Sequence, residues 1–436
     1  MMERIFLRRQ SGVTLIELML AMVLGLLVAA GMVTVFSATS SSNRAQNQVA
    51  RLQEEGRFAI TRLGDDLRMA NGQYCTNTGG VATPSTSGLL LDSLRAPKIY
   101  ADDLLGALSD VTTAWGTAPY PAKPTASYYL PSFLSMRGYE CTKTACTPTA
   151  PAVAMIPAMG INIGDRIKGT DVLTLRYLDS SRGWAVGGSS FVTTAADGTI
   201  ASITLSPGVG EPPVSDFKPG DLALLANCAN AEIFAVTGPN SSNQLSPNAV
   251  GTGPAANLGK PVAQQPQSAP RLFDFNTDFA TVTYYLQVVD SGNGSKTGAL
   301  IRRVNGTDAE IVRGVERMDF LYGVEDSDGN TRYLSANEVD SGTNCPPSVP
   351  IVLGTDPGCL WRGVKSIEVR ILMDGQQPLH TLGANEMKYS YAADGNTVPV
   401  SPDDSSRNVK PSEQGFVNQM IRREFNALFS VRNYNP

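Results

Sequence analysis

The sequence predicts an α+β chain: one long N-terminal helix, apolar then amphipathic, followed by a large head of antiparallel β-sheet. Three observations predict it. An apolar run from Val13 to Phe36 passes into residues with helical periodicity up to about residue 70. Beyond Cys75 short β-branched and aromatic runs follow one another, separated by Gly, Pro, Asn and Asp. No helical stretches alternate with those runs, so the strands have no crossover helices and should pair antiparallel.

The chain opens MMERIFLRRQSG, with Arg4, Arg8 and Arg9 against a single Glu3. Val13–Phe36 then contains one charge, Glu17, in 24 residues. As a helix that run is about 36 Å long, enough to cross a hydrocarbon core of about 30 Å. Arginines ahead of the span predict a cytoplasmic N-terminus and an extracytoplasmic remainder. A secretory signal peptide would have a shorter apolar core and a small-residue cleavage site after it. A plain signal anchor fits the length and leaves Glu17 unexplained. A carboxylate in the bilayer costs about 2.5–3.5 kcal/mol and marks a functional position.

Residues 37–72 continue the helix. Val49, Leu52, Ile60, Leu63 and Leu67 fall at helical spacing with Ala59 beside them. Arg51, Glu54, Glu55, Arg57, Asp65, Asp66 and Arg68 are assigned to the other faces, and Gly72, just past Asn71, to the stop. Residues 73–436 form the head. Its clearest strands are Val172–Leu178, Ile200–Leu205, Leu222–Leu225, Ile233–Val236, Val282–Val288, Ala299–Val304, Met318–Val324 and Val364–Met373. Two stretches read as loop insertions: 112–161, rich in Ala, Pro, Thr and Tyr, and 238–270, rich in Pro, Asn, Gln, Ser and Gly.

Charged residues are only 17% of the chain and the net charge is -5, which speaks against a nucleic-acid partner. Six cysteines suit an oxidising compartment. The two short loops suggest Cys141–Cys146 and Cys345–Cys359, leaving Cys75–Cys228, although sequence leaves other pairings open. Zinc is the rival reading, but Cys141 and Cys146 lack a second close pair, and the only histidine, His380, is distant. That same histidine stands in no hydrolase motif. No cofactor is expected and the chain reads as a non-enzyme. Asp326, Asp328 and Asn330 alternate like calcium ligands. An EF-hand needs Gly at its sixth position and Glu at its twelfth, where this chain has Thr331 and Asn337, so an Asp/Gly turn is the better reading.

Gly12-Val13-Thr14-Leu15-Ile16-Glu17 resembles the prepilin cleavage and methylation motif of type IV pilins. The resemblance implies a leader of residues 1–12, cut after Gly12 by a prepilin peptidase. Val13, where the family usually has Phe, would be the N-methylated new terminus. Glu17 would be the family's assembly glutamate. Paired with the terminal amine of a neighbouring subunit, it would be relieved of its charge inside an apolar bundle. Ala21, Gly25 and Ala29, four residues apart, would let neighbouring helices approach closely.

In the head, Pro219–Cys228 with Ala231–Phe234, then Tyr322–Asn330, are similar to segments of the PilW family of minor pilins. Arg422–Phe425 with Val431–Asn433 is similar to the last strand of that family and of J-type secretion pseudopilins. The resemblance implies a subunit that primes type IV pilus assembly and sits at the tip, with roles in twitching motility and adhesion. Its partners would be other minor pilins, the major pilin and a large tip adhesin. It would sit in the inner membrane before assembly, with its head in the periplasm. Two alternatives stand beside it: a J-type pseudopilin of type II secretion, whose heads are usually shorter, and a ligand-binding module at the tip.

Overall fold

The computed structural model describes residues 12–72, 82–85, 88–91, 97–108, 115–116, 120–227, 230–264, 270–292, 294–325, 330–342 and 358–431. It has the expected α+β architecture: a 55-residue helix, Leu15–Met69, and a head built mostly of antiparallel sheets. The helix contains no proline and is about 82 Å long at 1.5 Å per residue. It ends at Met69. Asn71, at φ 58°, makes the left-handed turn that Gly72 was expected to make, and its N–H bonds to Arg176 O at 3.0 Å. Asparagine is among the few L-residues that enter this region readily.

Two sheets hold the lower half of the helix. One runs Thr307–Arg313, Lys296–Val304, Phe279–Asp290, Val172–Leu178, Met136–Cys141 and Cys146–Thr147 in spatial order. The other runs Thr331–Leu334, Val315–Glu325, Val364–Asp374 and Arg422–Ser430. Strand alternation sends one set of side chains inward. Leu173 and Leu175, with Val282, Tyr284 and Leu286, join Leu52, Ala59, Leu63 and Leu67 of the helix in one core. Met318, Phe320, Ile367 and Ile371 close that core from the second sheet. Beneath it Arg422 and Glu316, both fully buried, form a two-pronged pair at 2.7 and 2.9 Å. A guanidinium removed from water is tolerable in such a pair because both prongs are met.

A second lobe surrounds a sheet ordered Trp184–Ala185, Arg271–Asp274, Leu222–Ala226, Ala231–Ala235, Lys98–Ile99 and Tyr128–Tyr129. Leu222 and Leu224 point into one cluster, Ala223 and Leu225 into another. The continuous apolar run LALLA therefore reflects burial on both faces. Among the described strands two pairings are parallel, Ala231–Ala235 with Lys98–Ile99 and Met159–Gly160 with Arg166–Ile167. Short helices such as Ser132–Ser135 and Ala336–Ser341 also occur in the head, where none was expected.

Neither insertion is the plain surface loop that the sequence predicts. Segment 112–161 is not only a surface loop: Met136–Cys141 pairs with Val172–Leu178 inside the first sheet. Its Arg137 concealed it. That side chain is 1% exposed and meets Asp340 at 3.2 Å, with Tyr120 and Trp361 also donating to the carboxylate. Segment 238–270 is mostly irregular but is fastened down. Fully buried Asn257 accepts from Ala235 N at 2.8 Å and donates to Ala235 O at 2.9 Å, standing in for a strand along that edge. Part of the segment, 265–269, lies outside the described residues.

Candidate assembly site

The helix begins with a reciprocal cap. Thr14 is in the extended region and its hydroxyl accepts from Glu17 N–H at 3.3 Å. Glu17 Oε2 accepts from Thr14 N–H at 2.9 Å and from the Thr14 hydroxyl at 3.0 Å. This satisfies donors that a helix start leaves unpaired and places a carboxylate at the positive end of the dipole. Glu17 Oε1 carries no hydrogen bond, and no cation pairs with Glu17 among the described residues. One face of the carboxylate is therefore open to a donor from outside the subunit.

The apolar span is equally open. Leu15, Ile16, Leu26 and Phe36 are each more than 70% exposed, and no part of the span is covered by the head. Its length and composition suit a membrane crossing, and that much exposed apolar surface requires a membrane or other helices around it. Ala21, Gly25 and Ala29 lie on this uncovered section. A Cβ placed on Gly25 would meet nothing within 4 Å, so no contact inside this chain calls for a small residue there.

Coverage starts at Gln48. Two features fasten the helix that the sequence reading did not assign. The rings of Phe425 and Phe429, on the C-terminal strand, sit against Gly56 and Gly64, where any Cβ would overlap them. Asp66, expected on a solvated face, is 4% exposed. Its carboxylate takes two bonds from Arg302, at 2.5 and 3.0 Å, one from Tyr284 at 2.5 Å and one from Tyr177 at 2.8 Å. These three residues come from three adjacent strands, Tyr284 directly opposite Arg302. Burial alone would raise the pKa of Asp66. The bonds from Arg302 and Tyr284 and the charge of Arg302 outweigh that and hold it below the usual carboxylate value. Both features were detectable: Leu52, Gly56, Ala59, Leu63, Asp66 and Ala70 follow the i, i+3, i+4 pattern of one helix face.

Cys141 and Cys146 form the expected disulfide. Cys359 is disulfide-bonded, while Cys345, Cys75 and Cys228 lie outside the described residues. So do Asp326 and Asp328 of the calcium pattern; Asn330 is exposed. Among the described residues no group of three or more His, Cys, Asp or Glu side chains is placed to hold a metal ion. His380 is exposed on the surface.

An open Glu17, a bare apolar helix and a β-head docked on its lower half, taken with two family matches, make this a type IV pilus-related, pilin-like protein. The prokaryotic N-terminal methylation motif matches residues 7–33. The type IV pilus-assembly protein W family, PilW, matches residues 283–433, which supply most of the two sheets that hold the helix. The methylation motif implies processing by a prepilin peptidase. Motif and apolar helix together are consistent with anchoring in the inner membrane. The second lobe and the Pro219–Phe234 segment lie outside both matched ranges. No curated protein matches the chain, and no solved structure does.

Proposed function

We propose that this chain is a minor pilin that primes type IV pilus growth and remains at the filament tip, as a structural subunit and not an enzyme. The observation that carries the reading is the open Oε1 of Glu17 on a fully uncovered apolar helix, joined to a head whose helix-binding sheets fall mostly within the PilW match. In this reading cleavage after Gly12 exposes the amine of Val13 on the cytoplasmic side, with the head in the periplasm. Glu17 then accepts the amine of a neighbouring subunit, so that neither charge stays unpaired among apolar helices. The partners are the other minor pilins, the major pilin and a tip adhesin.

Glu17→Ala is expected to leave cleavage intact and to cut pilus numbers about a hundredfold, since a charge left unpaired in the membrane costs about 2.5–3.5 kcal/mol. Counting filaments by electron microscopy, with cleavage followed by mass, checks this; normal piliation would refute it. Tip residence is tested by gold-labelling an epitope-tagged chain. Label at filament ends supports the proposal, and label along the shaft or none on filaments overturns it.

A second reading has one observation behind it. The second lobe has its own core and lies outside the matched ranges. It fits a recognition module added to a pilin frame. Surface substitutions there should spare filament number and reduce attachment; lost piliation would count against it.

A further inference from the structure

The bridge between Cys141 and Cys146 closes a hairpin in which the two cysteines are directly opposite one another. Both are 7% exposed, while the turn between them, 142–145, is exposed to solvent. Behind the sulfurs lies Arg166, 4% exposed. Its Nη1 is 3.5 Å from Cys141 Sγ and its Nη2 3.6 Å from Cys146 Sγ. Nε has no partner, and no carboxylate pairs with this guanidinium among the described residues. Arg137, Arg302 and Arg422 differ in that each lies on a carboxylate. Burial pulls the Arg166 pKa down to about 10, the mark of a cation without compensating charge. Two nearby charged groups are engaged elsewhere. The Asp171 carboxylate accepts from Cys141 N–H and Phe320 N–H, each at 3.0 Å, and Lys143 reaches Glu413 at 2.8 Å.

A guanidinium against two sulfurs does little for a neutral disulfide. It does a great deal for a thiolate, which it stabilises and makes a better leaving group. We propose that Cys141–Cys146 is a redox-active disulfide, opened by a protein dithiol, with Arg166 as the positioning residue that holds the departing thiolate. A thiolate of the dithiol attacks one sulfur, the Cys141–Cys146 bond breaks, and a mixed disulfide forms while the other cysteine leaves as a thiolate against Arg166. The second thiol of the donor then displaces the first cysteine. Two electrons pass from the dithiol to this chain and the donor becomes a disulfide. Of the donor's two protons, one goes to the first cysteine and one to solvent while the second cysteine stays a thiolate. Opening frees a hairpin that is tied to the PilW-matched region through Lys143–Glu413 and through Asp171.

The test is a redox titration of the processed full-length chain in detergent, using defined ratios of reduced to oxidised dithiothreitol. Free thiols are trapped by alkylation and each cysteine peptide is read by mass spectrometry, the Cys359 peptide serving as internal comparison. In the wild type the Cys141–Cys146 bridge should open before the one at Cys359. Arg166→Met should shift its exchange constant about tenfold toward the disulfide, about 30 mV for this two-electron couple, and Arg166→Lys should restore most of the shift. Should Arg166→Met fail to fold by circular dichroism, the wild-type order and Arg166→Lys decide. Opening together with or after the Cys359 bridge, or an exchange constant unmoved by Arg166→Met, overturns the proposal.

Discussion

Asp66→Asn is expected to destabilise the head by about 3 kcal/mol in urea unfolding. Removing one partner of a buried ion pair leaves the other charge unpaired, at a cost of about 3–5 kcal/mol. The lower end applies because the Arg302 side chain keeps 16% of its surface in solvent. The substitution keeps the shape of the side chain, so the loss reports charge and hydrogen bonds, not a cavity. Acid should reproduce it. The folded-state pKa of Asp66 is depressed, so its contribution is complete above the ordinary Asp value of about 3.9 and is lost as pH falls through the lower folded value. The stability gap between wild type and Asp66→Asn should therefore hold at neutral pH and shrink below about pH 4. A constant gap would show that the network does not titrate as described.

Gly64→Val should be the second large effect, about 2 kcal/mol or more of lost stability. The added carbons would enter the space of the Phe429 ring, and overpacking a core costs about 1–3 kcal/mol. Relief of an exposed helical glycine would normally act the other way, by about 0.5–1 kcal/mol, so a net loss identifies the ring contact. Combining Gly64→Val with Phe429→Ala should lose less than the two single losses added, a coupling of about 1 kcal/mol in a double-mutant cycle. Gly25→Val is the matched contrast. Nothing lies within 4 Å of its Cβ position, so head stability should not change while filament number falls. Strict additivity at Gly64 and Phe429 would mean that the C-terminal strand does not seat on the helix there.

The sequence was most legible where local pattern and burial agree. Val172–Leu178 was placed residue for residue, and the helix end to within a residue or so. Leu222–Ala226 was visible because both of its faces are buried. What escaped were charged residues inside the head. Met136–Cys141 carries Arg137 and Glu140, and a strand with such residues looks like loop until Asp340 is known to be its neighbour. Asp66 falls at a periodic position of the buried helix face, but the partner that makes its burial possible, Arg302, lies 236 residues away. Partners that far apart leave no periodic trace. At the N-terminus the situation is reversed. The motif named Gly12, Val13 and Glu17 at once, and the structure adds why Glu17 has a free oxygen: Thr14 occupies the other.

This chain can act as an assembly subunit only once it has been processed. The most direct test of that processing is the intact mass and N-terminal sequence of the protein from cells with active prepilin peptidase. The expected chain lacks residues 1–12 and starts at an N-methylated Val13. A protein that keeps Met1–Gly12 in those cells would contradict it.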